Sequence, residues 1–135
     1  MTTMSRDQVV PALLARVPEL ANVYEEHLRT FEGEALESVL FGDLTRFVIE
    51  AYQRGDRDLV DRCLEFLELA LATGDEYVEN LVAVSFVENV GPWDPEQRRF
   101  IRSWPRRLRK EARRQRDWRP PGQRGLRKLK RRSGE

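Results

Sequence analysis

The strongest constraint on this chain is a pair of closely spaced apolar helices between residues 59 and 90. Leu59, Val60, Cys63, Leu64, Phe66, Leu67, Ala70 and Leu71 recur at the period of an α-helix, and Tyr77, Val78, Leu81, Val82, Val84, Phe86, Val87 and Val90 do so again. Both stretches are apolar over more than one face, as expected of helices near the centre of a bundle. Only Gly74-Asp75 separates them, a turn too short for anything but antiparallel neighbours. Asp56 or Asp58 is placed to cap the first helix, Gly74 to follow it as a C′ residue, and Asp75 to cap the second.

The remaining segments have the same helical character, and none reads as a strand. A first helix is expected from Arg6 to about Val17 with Ser5 as N-cap, and a second after Pro18, with Leu20, Val23, Tyr24, Leu28 and Phe31 on one face as far as Gly33. Leu36, Leu40, Leu44, Phe47, Val48 and Ala51 form a further stripe, which Gly42-Asp43 is expected to break, with Asp43 capping the second piece. Asp94-Pro95-Glu96-Gln97 is a helix start, and a restart is expected at Pro105. The fold class is therefore all-α: an irregular helical bundle or short α-α superhelix of antiparallel helix pairs. It divides into an acidic helical body (1–105), a basic helix (106–118) and a disordered basic tail (119–135).

The net charge of +1 conceals a sharp division. Residues 1–97 hold 7 Lys+Arg against 20 Asp+Glu, and residues 98–135 hold 17 against 3. Such asymmetry marks an interaction tail, a self-complementary molecule, or both. In the basic part, Arg106, Arg107, Arg109, Lys110, Arg113 and Arg114 are candidate phosphate contacts, since guanidinium forks grip phosphates bidentately. Trp93, Trp104 and Trp118 interleave with the arginines and either stack on bases or seal the body. The arginines either pair with Glu25, Glu26, Glu32, Glu34 and Glu37 of the body or serve an external acidic partner.

Catalytic chemistry has little to draw on. There is no Gly-rich phosphate loop, no G-x-S-x-G, no H-E-x-x-H and no cysteine cluster, so neither enzyme activity nor a metal or cofactor is expected. His27, the only histidine, follows Glu25 and Glu26 in an acidic helix and is expected at the surface. Cys63 is expected to be a small core residue. Glu68, Glu79, Asn80 and Glu88 lie within the two most apolar helices; surface placement or capping of a neighbouring helix suits them better than a buried carboxylate site, with Asn80 the one expected to be buried.

The segments Phe41-Gly42-Asp43-Leu44-Thr45-Arg46-Phe47, Gly55-Asp56 through Cys63-Leu64-Glu65-Phe66-Leu67-Glu68, Gly74-Asp75-Glu76-Tyr77-Val78-Glu79-Asn80-Leu81-Val82 and Ser85-Phe86-Val87-Glu88 together resemble an uncharacterised bacterial family. That family is a domain of unknown function of short helical proteins, and some relatives look like immunity proteins of contact-dependent or polymorphic toxin systems. The resemblance covers roughly residues 7–105, implies an all-helical fold, supplies no catalytic residue and stops short of the basic segment.

The expected function is a non-enzymatic protein-binding module, of immunity type, that sequesters a basic partner such as a toxin through Glu25, Glu26 and Glu37. The alternative is a nucleic-acid-associated protein that grips phosphates with its Arg-rich C-terminal segment. No apolar run is long enough to span a bilayer and no secretory signal precedes the first helix, so a cytoplasmic location is expected.

Overall fold

A computed structural model describes residues 3–117. Seven α-helices account for most of them: α1 (Arg6–Arg16), α2 (Ala21–Thr30), α3 (Glu37–Gln53), α4 (Arg57–Thr73), α5 (Glu76–Val82), α6 (Arg98–Arg102) and α7 (Arg106–Asp117). The fold is all-α, and among the described residues the only extended pairing is one backbone bridge, in which Met4 N donates to Thr73 O at 2.8 Å and Asp75 N to Met4 O at 2.9 Å. The tail expected at 119–135 lies outside the described residues.

Helix α4 is the axis. It touches α1, α3, α5 and α7, and Cys63, Phe66, Leu67 and Ala70 along it are completely buried. A superhelix would stack each helix pair only on its sequence neighbours, so this convergence on one helix makes the architecture an irregular bundle. Of the residues expected to form the core, Leu64, Phe66, Leu67, Leu81 and Val82 are buried, while Phe47 and Leu71 are partly buried against the cluster. An aromatic file of Tyr52, Phe100, Trp104 and Phe86, with centroids 4.5 to 5.4 Å apart, fastens α6 to this core.

Local caps follow the sequence closely. Ser5 N donates to Gln8 Oε1 at 3.0 Å at the start of α1, Leu59 N to Asp56 Oδ1 at 3.3 Å, Val78 N to Asp75 Oδ1 at 2.9 Å and Glu96 N to Asp94 Oδ1 at 2.9 Å. Arg62 ties α4 to the turn at Pro18–Leu20 through Glu19, whose carboxyl is lowered to about 2, chiefly by that hydrogen bond.

Three expectations are corrected. Helix α3 runs unbroken through Gly42, because Leu40, Phe41, Leu44, Thr45 and Val48 are buried on both sides of it and outweigh the modest helical cost of one glycine. Gly74 is not a left-handed C′ residue: its backbone is extended, with φ −71° and ψ 154°. It is small because a Cβ there would lie 2.4 Å from Ala70 O and 2.6 Å from Val78 Cγ1. Asn80 is exposed rather than buried, since Val78, Leu81 and Val82 take the inward positions on α5.

Helix α5 continues as a π-helical segment, Ala83–Glu88, wedged between α3 and α7, and there Ser85, Phe86 and Val87 are all buried in succession. Side chains from both neighbours reach its carbonyls: Thr45 Oγ1 donates to Ser85 O at 3.1 Å, and Gln115 Nε2 to Ala83 O at 2.8 Å.

Replacing Leu67 by Ala should cost about 2–5 kcal/mol, read from denaturant midpoints at unchanged m-value, because no exposed surface offsets the cavity. The Glu19–Arg62 tie should contribute stability above pH about 4.5, the ordinary carboxyl value, and lose it as pH falls towards about 2. Glu19→Gln should flatten that part of the acid-denaturation profile.

Candidate functional site

Helix α7 is almost wholly charged, yet it is docked. Leu108 and Ala112, one turn apart, are buried against α4 and the π-helical segment. Gln115 adds its side-chain bond to Ala83 O, and the first turn is attached through backbone. Arg107 N and Leu108 N each donate to the Glu68 carboxylate at 3.0 Å, and Arg109 N donates to Pro105 O at 2.9 Å. The free N–H groups of the first turn, which carry the positive end of the helix dipole, are thus met by a carboxylate from α4, 39 residues away in sequence. Glu68 accordingly caps a neighbouring helix, one of the two roles expected for it.

With Leu108 and Ala112 facing inward, the cationic residues fall on two flanks. On the flank towards α5, Arg107, Lys110 and Arg114 border a groove whose acidic members are Glu76, Glu79 and Glu111. Arg107 Nη1 lies 3.5 Å from Glu68, and Arg114 binds Glu111 with two contacts at 2.6 and 3.1 Å. Glu111 is lowered below the ordinary carboxyl range: burial pushes it up, and the Arg114 and Gln115 hydrogen bonds more than reverse this.

The flank towards α6 is different. Arg98 and Arg102 from α6 face Arg109, Arg113 and Arg116 from α7 across a cleft of about 300 Å³ floored by Pro92, Ile101 and Ala112. Among the described residues no acidic one lines it. Arg98, Arg102, Arg109 and Arg113 form no ion pair among the described residues, and Arg116 only approaches Asp117 at 3.5 Å. The six expected phosphate contacts are therefore divided. Arg109 and Arg113 lie on this cleft, Arg107, Lys110 and Arg114 on the compensated groove, and Arg106 is exposed at the start of α7. Arg98, Arg102 and Arg116 join the cleft. Their membership depends on how α6 turns back on α7, which periodicity within one helix does not reveal.

Of the two alternatives for the arginines, pairing with Glu25, Glu26, Glu32, Glu34 and Glu37 is not found among the described residues, where the compensating acids come from α4, α5 and α7 itself. Glu25 and Glu26 are exposed on α2, with Glu26 paired to Arg29 at 2.6 Å. Glu37 stands apart from them. It accepts from Arg6 Nε at 3.0 Å and from Tyr77 Oη at 2.8 Å, and its side chain is 12 % exposed. Burial and then the hydrogen bond to Glu37 hold the Tyr77 hydroxyl above its ordinary range, against the opposing charge of Arg6.

A second concavity, about 640 Å³, lies between α2 and α3. Val23, Phe31, Val39 and Phe47 give it apolar walls, and Glu26, Asp43 and Glu50 stand on it with one cation, Arg46, which is paired to Asp43. Val39 is 42 % exposed. His27, expected at the surface, is instead 2 % exposed in the wall of this groove. Leu36 N donates to its Nε2 at 2.9 Å, and its ring packs on Phe31 at 4.8 Å. The loop after α2 folds back over the ring, which the acidic neighbours in sequence conceal. Of the tryptophans, Trp104 seals the core, Trp93 is 40 % exposed, and Trp118 lies outside the described residues. Cys63 is wholly buried, and burial pushes its thiol up to about 12.

The chain belongs to the family defined by a domain of unknown function, DUF7674, whose model matches residues 10–119. The match runs through α7, so the basic helix is part of the family's domain, whereas the resemblance noted in the sequence stopped before it. No curated protein and no solved structure matches the chain. No helix among the described residues is long and apolar enough to cross a membrane.

Removing the cap should show that α7 belongs to the folded unit. Glu68→Ala should destabilise the protein by about 1–2 kcal/mol in denaturant titration, and Glu68→Gln, which keeps an acceptor, by less than half of that.

Proposed function

We propose that the protein is a non-enzymatic binding module whose acidic body docks a basic protein partner over the groove between α2 and α3. The observation that carries this reading is the composition of that groove. Apolar walls from Val23, Phe31, Val39 and Phe47 stand beside the carboxylates of Glu26, Asp43 and Glu50, the pattern of an interface with an apolar centre and a charged rim. Glu25, exposed on the same helix, extends the rim; Glu37, engaged by Arg6 and Tyr77, is left out of the proposed contact. A cationic partner would be drawn in by the field of the body, which raises association rates more than final affinity. An immunity-type protein that covers the basic surface of a toxin, in the cytoplasm of the producing cell, fits this description. A non-enzymatic role is supported by the state of the two side chains best suited to nucleophilic or acid–base work: His27 is buried with its Nε2 taken by Leu36 N–H, and the thiol of Cys63 is shut in the core.

The test is a photo-activatable residue at Val39 of the full-length protein, irradiated in the producing cell. A discrete adduct with a basic protein is expected. The double variant Glu26→Lys/Glu50→Lys should lower the association rate of that partner about tenfold or more at low salt, with a smaller effect at high salt. No adduct at Val39, or an adduct indifferent to the charge reversals, would end this reading.

A further inference from the structure

We propose that the cleft between α6 and α7 is a binding site for single-stranded nucleic acid, with Arg98, Arg102, Arg109, Arg113 and Arg116 as its phosphate contacts. The argument begins with a comparison the helix makes with itself. Both flanks of α7 carry three cationic side chains, spaced so that one stands above another. Towards α5, four carboxylates answer them: Glu68, Glu76, Glu79 and Glu111. Towards α6, where acids would serve folding equally well, the neighbouring helix presents two more arginines, and among the described residues no carboxylate lines the cleft. Like charges gathered across a concavity work against the folded state, so the fold alone gives no reason for this arrangement; an external polyanion does.

The shape and chemistry of the cleft narrow the ligand. Its walls are guanidinium groups, which hold phosphate oxygens in pairs and also stack on planar rings. Its floor is apolar, and Ile101, the partly exposed member beside the buried Pro92 and Ala112, can lie against the face of a base. A volume of about 300 Å³ admits one nucleotide unit at a time and not the body of a duplex. Arg98 and Arg102 are one turn apart on α6, while Arg109, Arg113 and Arg116 follow over two turns of α7, so the cations form two rows along which a strand can run. No base edge is read by such a site, and binding is therefore tolerant of sequence and steep in salt.

Fluorescence anisotropy of the full-length protein tests this, with labelled oligothymidylate, the same length as a duplex, and inorganic phosphate as competitor. Single strands should bind tighter than the duplex, and millimolar phosphate should not displace them. Arg102→Glu/Arg113→Glu should weaken single-strand binding at least tenfold and make the log K against log salt slope shallower by about 1.4, roughly 0.7 for each lost phosphate contact. The neutral pair Arg102→Gln/Arg113→Gln should act in the same direction, and Lys110→Glu on the opposite flank should change affinity less than threefold. The proposal is overturned by absence of binding at low salt, by equal loss from Lys110→Glu and the cleft pair, by a preference for duplex, or by ready displacement with inorganic phosphate. Unchanged affinity in both cleft pairs, with the variants melting as the parent does, would move the contact elsewhere on the chain.

Discussion

Everything else in this bundle is arranged by the burial of α4, which keeps only Arg57 and the stripe of Asp58, Asp61, Glu65 and Ala72 exposed. A helix that gives Cys63, Phe66, Leu67 and Ala70 wholly to the core must be covered by several partners, and the chain supplies α1, α3, α5 and α7 in turn. Gly74 is where this arrangement is tightest: the chain reverses so closely behind α4 that no side chain fits between Ala70 and Val78. The same close return lets Met4 bridge to both sides of the turn and tethers the segment leading into α1.

Electrostatics is then divided by the packing. The acids of α4 and α5 are consumed on the side where α7 meets them, through the Glu68 cap and the groove shared with Glu76 and Glu79. The remaining charges are separated in space: Glu50 stands without an ion pair among the described residues beside the paired Glu26 and Asp43 on the groove between α2 and α3, and Arg98, Arg102, Arg109 and Arg113 stand so around the cleft between α6 and α7. A molecule of net charge +1 thus offers two faces of opposite sign, each with an apolar floor or wall. Oppositely charged ligands on separate faces need not compete for the same residues.

Those features governed by chain neighbours could be read from the sequence. Asp56, Asp75 and Asp94 cap within three residues of themselves, and the two-residue turn after Thr73 left the α4–α5 hairpin no alternative. The misread features depend on distant chain. Local propensity suggested a break at Gly42, where burial on either side decides. His27 looks solvated beside Glu25 and Glu26 until the loop carrying Leu36 closes on it. The arginines could be counted but not sorted, because their sorting needs the rotation of α7 about its own axis and the position of α6.

That rotation is set in an unusual place. The Glu68 carboxylate grips the main-chain amides of Arg107 and Leu108, atoms that every residue but proline offers, so it fixes the phase of the helix without regard to the side chains it displays. The outer residues of α7 are consequently exchangeable among themselves, while the length of the Ser103–Trp104–Pro105 connection is not. One residue more or fewer there would turn the helix by about 100° relative to its clamp and carry one row of guanidinium groups to where the other had stood. In this protein the charge pattern is written in the outer side chains of α7, and its orientation is held by two backbone amides together with the buried Leu108 and Ala112 and the Gln115 amide on Ala83 O.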